Sequence, residues 1–220
     1  MTELTEIIRR ALRKGDDPSS VEACSARRLY RTLMMLIHDD DDLVRQRACR
    51  HLADIISRKD PASIENVIRR LLWRLNPESG DYPIGLPELL GEIGNRAPRE
   101  IASFVSVILF YLDDEKLQPG LLQAAGRIGQ KLPDLLSEYV SEISQFLRNE
   151  NLIVAANAAL ALRRIGGPDT ETALRAVMDD TREITLICND DRRPTQLGEL
   201  AKAISEPMIA DCYISSERTS

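Results

Sequence analysis

The chain has 220 residues, a net charge of −6 and a sequence pI near 5.1, with 43% hydrophobic and 29% charged residues. That composition excludes a disordered or collagen-like chain, and the acidic balance disfavours non-specific nucleic-acid binding, whose affinity comes from Lys and Arg neutralising phosphates. The most apolar stretch, residues 101–112, is interrupted by Ser103 and Ser106 and falls short of the roughly 20 residues a membrane-spanning helix needs.

At the N-terminus, Met1 to Lys14 sets Glu3 and Glu6 among Ile7, Ile8 and Leu12, without an apolar h-region or a small-residue cleavage site, so the expected compartment is the cytoplasm. Cys24, Cys49, Cys188 and Cys212 lie 25, 139 and 24 residues apart, with no CxxC pair, and are expected as free thiols.

Four segments, beginning at Leu52, Leu90, Ala125 and Leu162, align on Ile55, Ile93, Ile128 and Ile165, at intervals of 38, 35 and 37 residues. Seven positions earlier stand Ala48, Leu86, Leu121 and Ala158, and eleven earlier Val44, Tyr82, Leu117 and Val154, which repeats one helical face. Amphipathic partners precede them: residues 26–37 with Leu29, Tyr30, Leu33 and Ile37; 64–75 with Ile64, Ile68, Leu71 and Leu75; 136–147 with Leu136, Tyr139, Val140, Ile143 and Leu147. The stretch 101–112 is apolar nearly all round, as a helix covered on several sides would be. Polar turns at 39–42, 113–115 and 149–151 join the paired helices, and Pro61, Pro98, Pro133 and Gly166-Gly167-Pro168 separate one pair from the next. The predicted fold is all-α, an α-solenoid of about four to five two-helix repeats over residues 1–180.

Residues 181–220 depart from the repeat and are expected to form a C-terminal cap. Ile184 to Cys188 is β-branched and runs into Asn189-Asp190-Asp191, the signal of a short β-hairpin; Thr195 then has the chemistry to N-cap a helix through Leu197, Leu200, Ala201 and Ile204. Beyond Glu206 a loosely ordered tail is expected.

Leu90-Gly-Glu-Ile-Gly-Asn-Arg-Ala-Pro98 and Leu162-Arg-Arg-Ile-Gly-Gly-Pro168 resemble the L-G-x-I-G-x-x-x-A/P signature of HEAT repeats, in particular the short HEAT-like repeats of bacterial proteins first recognised in phycobilisome lyases. Trp73 to Gly80 followed by Pro87 to Ile93 is similar to a subgroup of uncharacterised bacterial HEAT-like proteins. The resemblance implies the solenoid fold and leaves a range of functions: scaffolds, chromophore lyases, DNA glycosylases and subunit clamps.

No GxSxG elbow and no GxxxxGK[ST] loop is present, and His38 beside Asp39 to Asp42 lacks the alternating oxygens and glycine of a calcium loop, so neither a catalytic set nor a metal or cofactor is expected. The connection from Pro77 to Leu86 is the longest between paired helices and is stiffened by Pro77, Gly80, Pro83 and Gly85. Just before it, Trp73 lies nine positions after Ile64, on the opposite side of the helix from the core stripe. Either it packs beneath its own loop against Tyr82 or Pro83, shielded by Arg69 and Arg70, or it is an aromatic anchor with neighbouring arginines. Asn76 and Glu78 are turn formers in the first case and site residues in the second. A second candidate surface is a ladder on the second helices: Asp54, Glu92, Arg127 and Arg164 one position before each repeat isoleucine, with Arg50, Glu88, Gln123 and Leu160 five before. The ladder is expected on the exposed inner face, where it either pairs between repeats or recognises a partner.

The expected function is a non-catalytic scaffold that binds another protein through its concave face and the repeat-two loop, using Trp73, Asn76, Glu78, Tyr82, Glu88, Glu92, Arg127 and Arg164. A chromophore-lyase-like enzyme is an alternative resting on the repeat resemblance alone. A DNA-glycosylase-like one would want a basic groove with several aromatics, against a net charge of −6 and one Trp. Neither a nucleic acid nor a membrane is expected as partner.

Overall fold

Side-chain oxygens start the longer helices. Asp41 accepts from the N–H groups of Leu43 and Val44 at the head of α3 (Asp42–Ser57), Asp60 caps α4 (Pro61–Leu75) through Ser63, and Asn151 caps α11 (Leu152–Ile165) through Ile153. The computed structural model describes residues 3–21, 25–76, 84–188, 191–202 and 211–215. Ahead of α3 come α1 (Glu3–Lys14) and α2 (Ala26–Leu36). Between α4 and α11 lie α5 (Leu86–Arg96), α6 (Pro98–Ile101), α7 (Val105–Phe110), α8 (Gln118–Gly129), α9 (Pro133–Ser137) and α10 (Val140–Ser144), and α12 (Pro168–Leu174) follows α11.

Helices α3, α5, α8 and α11 pack side by side in that order, each also against the shorter helices around it. Glycine sets their spacing. A Cβ on Gly91 would stand 2.6 Å from the Cα of Ala124, and one on Gly126 would stand 2.9 Å from the Cα of Ala161, so α5, α8 and α11 touch backbone to backbone. Ile93, Ile128 and Ile165 are buried as the alignment predicts. Ile55 is not: α3 carries Ala53 in the place of Gly91 and seats the next residue, Ile56, in the core, leaving Ile55 half-buried.

The stretches 101–112 and 136–147, predicted as single helices, are broken. The first runs from α6 through a 3-10 turn, Ala102–Phe104, into α7 and a second such turn, Tyr111–Asp113. The other comprises α9, α10 and the turn Gln145–Arg148. Phe104 (φ −107°, ψ −4°) and Tyr139 (φ −102°, ψ 3°) occupy the bridge region at the two breaks. Ser137 and Ser144 each donate to a carbonyl three residues back, a local bond that competes with the α-helical pattern. The same spacing separates Ala97 (φ −126°, ψ 64°) from Leu132 (φ −129°, ψ 56°), so the irregular backbone recurs along with the helices.

At the C-terminal end β1 (Glu183–Cys188) and β2 (Asp191–Gln196) form an antiparallel pair, Glu183 opposite Gln196 and Cys188 opposite Asp191. Thr195 is therefore a strand residue facing Ile184, not a helix cap. Helix α13 (Leu197–Lys202) sets Leu197, Leu200 and Ala201 into the core beside α11. Strand β3 (Tyr213–Ile214) pairs with the other edge of β1, giving the order β2-β1-β3. Of residues 211–215, expected to be loosely ordered, Tyr213 and Ile214 are thus built into the sheet. The expectation of free thiols fails for two cysteines: Cys188 is disulfide-bonded to Cys212, while Cys49 is a buried free thiol. Cys24 lies outside the described residues. The chain is mostly helical with a small C-terminal sheet, and no described helix is long and apolar enough to cross a membrane.

Candidate functional site

Arg50 on α3, Glu92 on α5, Arg127 on α8 and Arg164 on α11 form a row across the packed helices. The ladder of Asp54, Glu92, Arg127 and Arg164 was expected to be exposed, but Asp54 is half-buried, and Glu92 is 1% exposed, Arg127 6% and Arg164 7%. The cover comes from the chain itself. Arg164 donates to the Cys212 carbonyl, Arg50 donates to the Asp211 carbonyl at 2.7 Å, and Arg127 pairs with the Asp211 carboxylate at 3.5 Å. The Arg50 guanidinium stands 5.9 Å from the centre of the Tyr213 ring. Ser215 donates to Asp42 at 2.8 Å, and Asp42 pairs with Arg45 on the same helix.

Within the row Glu92 accepts from an Arg127 terminal nitrogen at 3.0 Å, forms an ion pair with Arg127 Nε at 2.8 Å and also pairs with Arg96, which reaches Asp54. Burial alone would push the Glu92 carboxyl up, but these guanidiniums outweigh it and hold the carboxyl below the ordinary carboxylate range. Burial, reinforced by Arg127, pushes Arg164 down to about 9. Glu88 is a turn away on α5 and answers burial differently. It pairs with Arg45 at 3.8 Å, but desolvation prevails and the carboxyl is raised. It lines a cleft of about 220 Å³ with Asp39, Arg45, Lys116 and Leu117, and Gly120 leaves it room, since a Cβ there would come within 2.7 Å of its carboxylate. Below it Gln46 and Gln123 exchange two amide hydrogen bonds, at 3.1 and 2.7 Å.

Trp73 belongs to a separate surface. It is 65% exposed on α4, and with Asn66, Arg69, Arg70 and Arg74 it lines a shallow hollow of about 460 Å³. These positions share one helical face. Arg69 is steadied by Glu65 at 2.7 Å and lies over the Phe104 ring, 5.5 Å from its centre. Arg74 meets His38 Nε2 at 3.4 Å, and His38 Nδ1 donates to the Ile84 carbonyl, which leaves Nε2 as the acceptor. Asn76 ends the helix, its N–H bonded to the Trp73 carbonyl. Glu78 and Tyr82 lie outside the described residues. The acidic turn beside His38 is used structurally: Asp39 accepts from Arg9 at 2.6 and 2.9 Å, and Asp41 and Asp42 serve α3 as above.

The structure thus brings Glu92, Arg127 and Arg164 into one network, sets Glu88 in a neighbouring cleft and leaves Trp73 apart. Sequence reasoning missed the covering residues Asp211, Tyr213 and Ser215. The available signal was the alternation of Cys212, Tyr213 and Ile214, strand-forming types beside a cysteine.

No family model matches the chain. An uncharacterized protein of Archaeoglobus fulgidus is 33% identical over 87 residues, which is 39% of this chain and 45% of that protein's length. A crystal structure of an engineered protein overlays on 81% of this chain and 85% of its own, with a TM-score of 0.43 and 20% identity.

Proposed function

We propose that the protein is a non-catalytic binding protein, a HEAT-like α-solenoid that holds another protein against the Trp73 face of its second repeat. The solenoid reading is supported by helices spaced through Gly91 and Gly126 and by backbone breaks that recur at Phe104 and Tyr139. The observation that carries the binding reading is an indole 65% exposed among three arginines, in a chain whose net charge is −6. Trp and Arg are the residue types that dominate binding energy at protein interfaces, because a large rigid apolar surface and a planar fork of donors are presented at small entropic cost. The partner that fits is an acidic protein segment with an apolar residue to cover the indole.

Trp73 is the single Trp of the chain, so its emission reports on this face alone. A partner captured from native lysate and then added to the purified protein should shift the Trp73 emission to the blue. Arg70→Glu combined with Arg74→Glu should end capture while the helical circular dichroism stays as in the parent. Undiminished capture by that folded variant would remove α4 as the site.

A further inference from the structure

Residues Asp211–Ser215 lie on the row of arginines as a bound peptide lies on its receptor. Arg50 and Arg164 hold main-chain carbonyls, at Asp211 and Cys212, which any peptide offers. β1 supplies the rest of the backbone pairing, Ile187 opposite Tyr213 and Leu186 opposite Ile214, with the Ser215 N–H bonded to the Thr185 carbonyl at 2.9 Å. Specificity comes from alternate side chains, as it does when a strand is added to a sheet edge. Asp211 meets Arg127, the Tyr213 ring lies by the Arg50 guanidinium and Ser215 reaches Asp42. The intervening Cys212 and Ile214 turn into the apolar core.

Removing this segment would uncover the guanidiniums of Arg50, Arg127 and Arg164 beside a freed edge of β1, a surface complementary to an occupant with carbonyls and a carboxylate. Besides the main chain, one covalent bond, Cys188 to Cys212, fastens this occupant. A dithiol reductant cleaves it by delivering two electrons and two protons: Cys188 and Cys212 become thiols and the dithiol becomes a disulfide. What then holds residues 211–215 is a two-residue strand and side-chain contacts of a kind another chain can reproduce.

We propose that the face formed by α3, α5, α8 and α11 is a binding site for an extended polypeptide segment of the pattern acidic, any, aromatic, any, hydroxyl, kept closed by residues Asp211–Ser215 until the Cys188–Cys212 disulfide is reduced. The site is separate from the Trp73 face and does not depend on it.

The test uses the full-length protein and a fluorescein-labelled peptide with the sequence of residues 209–216, serine replacing Cys212. Fluorescence anisotropy should show no binding to the oxidised protein and measurable binding after dithiothreitol. Because the tethered segment competes at high effective concentration, Tyr213→Ala in the reduced protein should tighten peptide binding by about tenfold. Cys212→Ser without reductant should behave as the reduced parent, which separates loss of the disulfide from other effects of dithiothreitol. Arg50→Ala, at a half-buried position, should abolish binding. Equal binding to oxidised and reduced protein would overturn the latch. A reduced Tyr213→Ala protein that keeps its helical spectrum yet binds no peptide would overturn the site, and so would loss of the helical spectrum on reduction, which would make the segment part of the core. A dimer formed on reduction, seen by light scattering, would mean that the segment of a second copy is the occupant and would also overturn the proposal.

Discussion

Glu88 and Glu92 stand one turn apart on α5, both buried, with their carboxyls displaced in opposite directions. For Glu92 the folded protein favours the ionised form. Its contribution is present above the ordinary carboxylate range and is lost as pH falls through the lowered value. For Glu88 the folded protein favours the protonated form, so its contribution is present at low pH and is lost as pH rises through the raised value. Urea denaturation at neutral pH should therefore find Glu92→Gln costly, by about 3 to 5 kcal/mol, because it leaves Arg127 buried beside half of its former charge. Glu88→Gln should cost less, and its stability relative to the parent should improve as pH rises from the carboxylate range toward neutrality. Trp73→Ala, at a position 65% exposed, should change stability by no more than about 0.5 kcal/mol while ending partner capture. The off-core placing of Trp73 was legible in the sequence because nine residues of α-helix make two and a half turns. The burial of Glu92, Arg127 and Arg164 was not, because what covers them comes from residues 211–215, and helical periodicity carries no information about so distant a contact.

At the scale of the helix, glycine separates two kinds of constraint. Gly126→Ala would put a Cβ 2.9 Å from the Cα of Ala161, a backbone contact that no side-chain movement relieves, and 3.1 Å from the Arg164 Cδ, and should cost about 1 to 3 kcal/mol. Gly166→Ala meets nothing within 4 Å but must take φ +71° with ψ 179°, a region almost confined to glycine, at a cost of about 1 to 3 kcal/mol carried by the backbone alone. Calorimetry on the Gly126→Ala variant measures the first of these costs, and an unchanged melting temperature would refute close helix contact as the reason for Gly126. The long helices α3, α4, α5, α8 and α11 were readable because a stripe of apolar residues keeps its period over three or more turns. The broken stretches around Phe104 and Tyr139 were not. Their apolar pattern fits a helix; around Tyr139, serine-to-carbonyl bonds compete with it, and around Phe104 the bridge-region backbone breaks it without such a bond.

For the molecule as a whole, the pairing of Cys188 with Cys212 closes a loop with a sequence separation of 24, and opening it should lower stability by about 3 kcal/mol. Thermal unfolding with and without dithiothreitol measures this, and identical melting temperatures would mean that the disulfide adds nothing. Four cysteines admit several pairings, and spacing alone does not choose among them. The Ser215 to Asp42 bond spans 173 residues and the Arg164 to Cys212 bond holds the other side, so one short segment is fastened to both the first and the last helix of the packed row. A row whose members touch only their neighbours has an independent hinge at every interface. A tie across its ends joins those hinges into a closed figure in which none opens without loading the others. Amide exchange in α3 and α11 should then proceed as one event while the tie is intact and as two separate ones once it is cut.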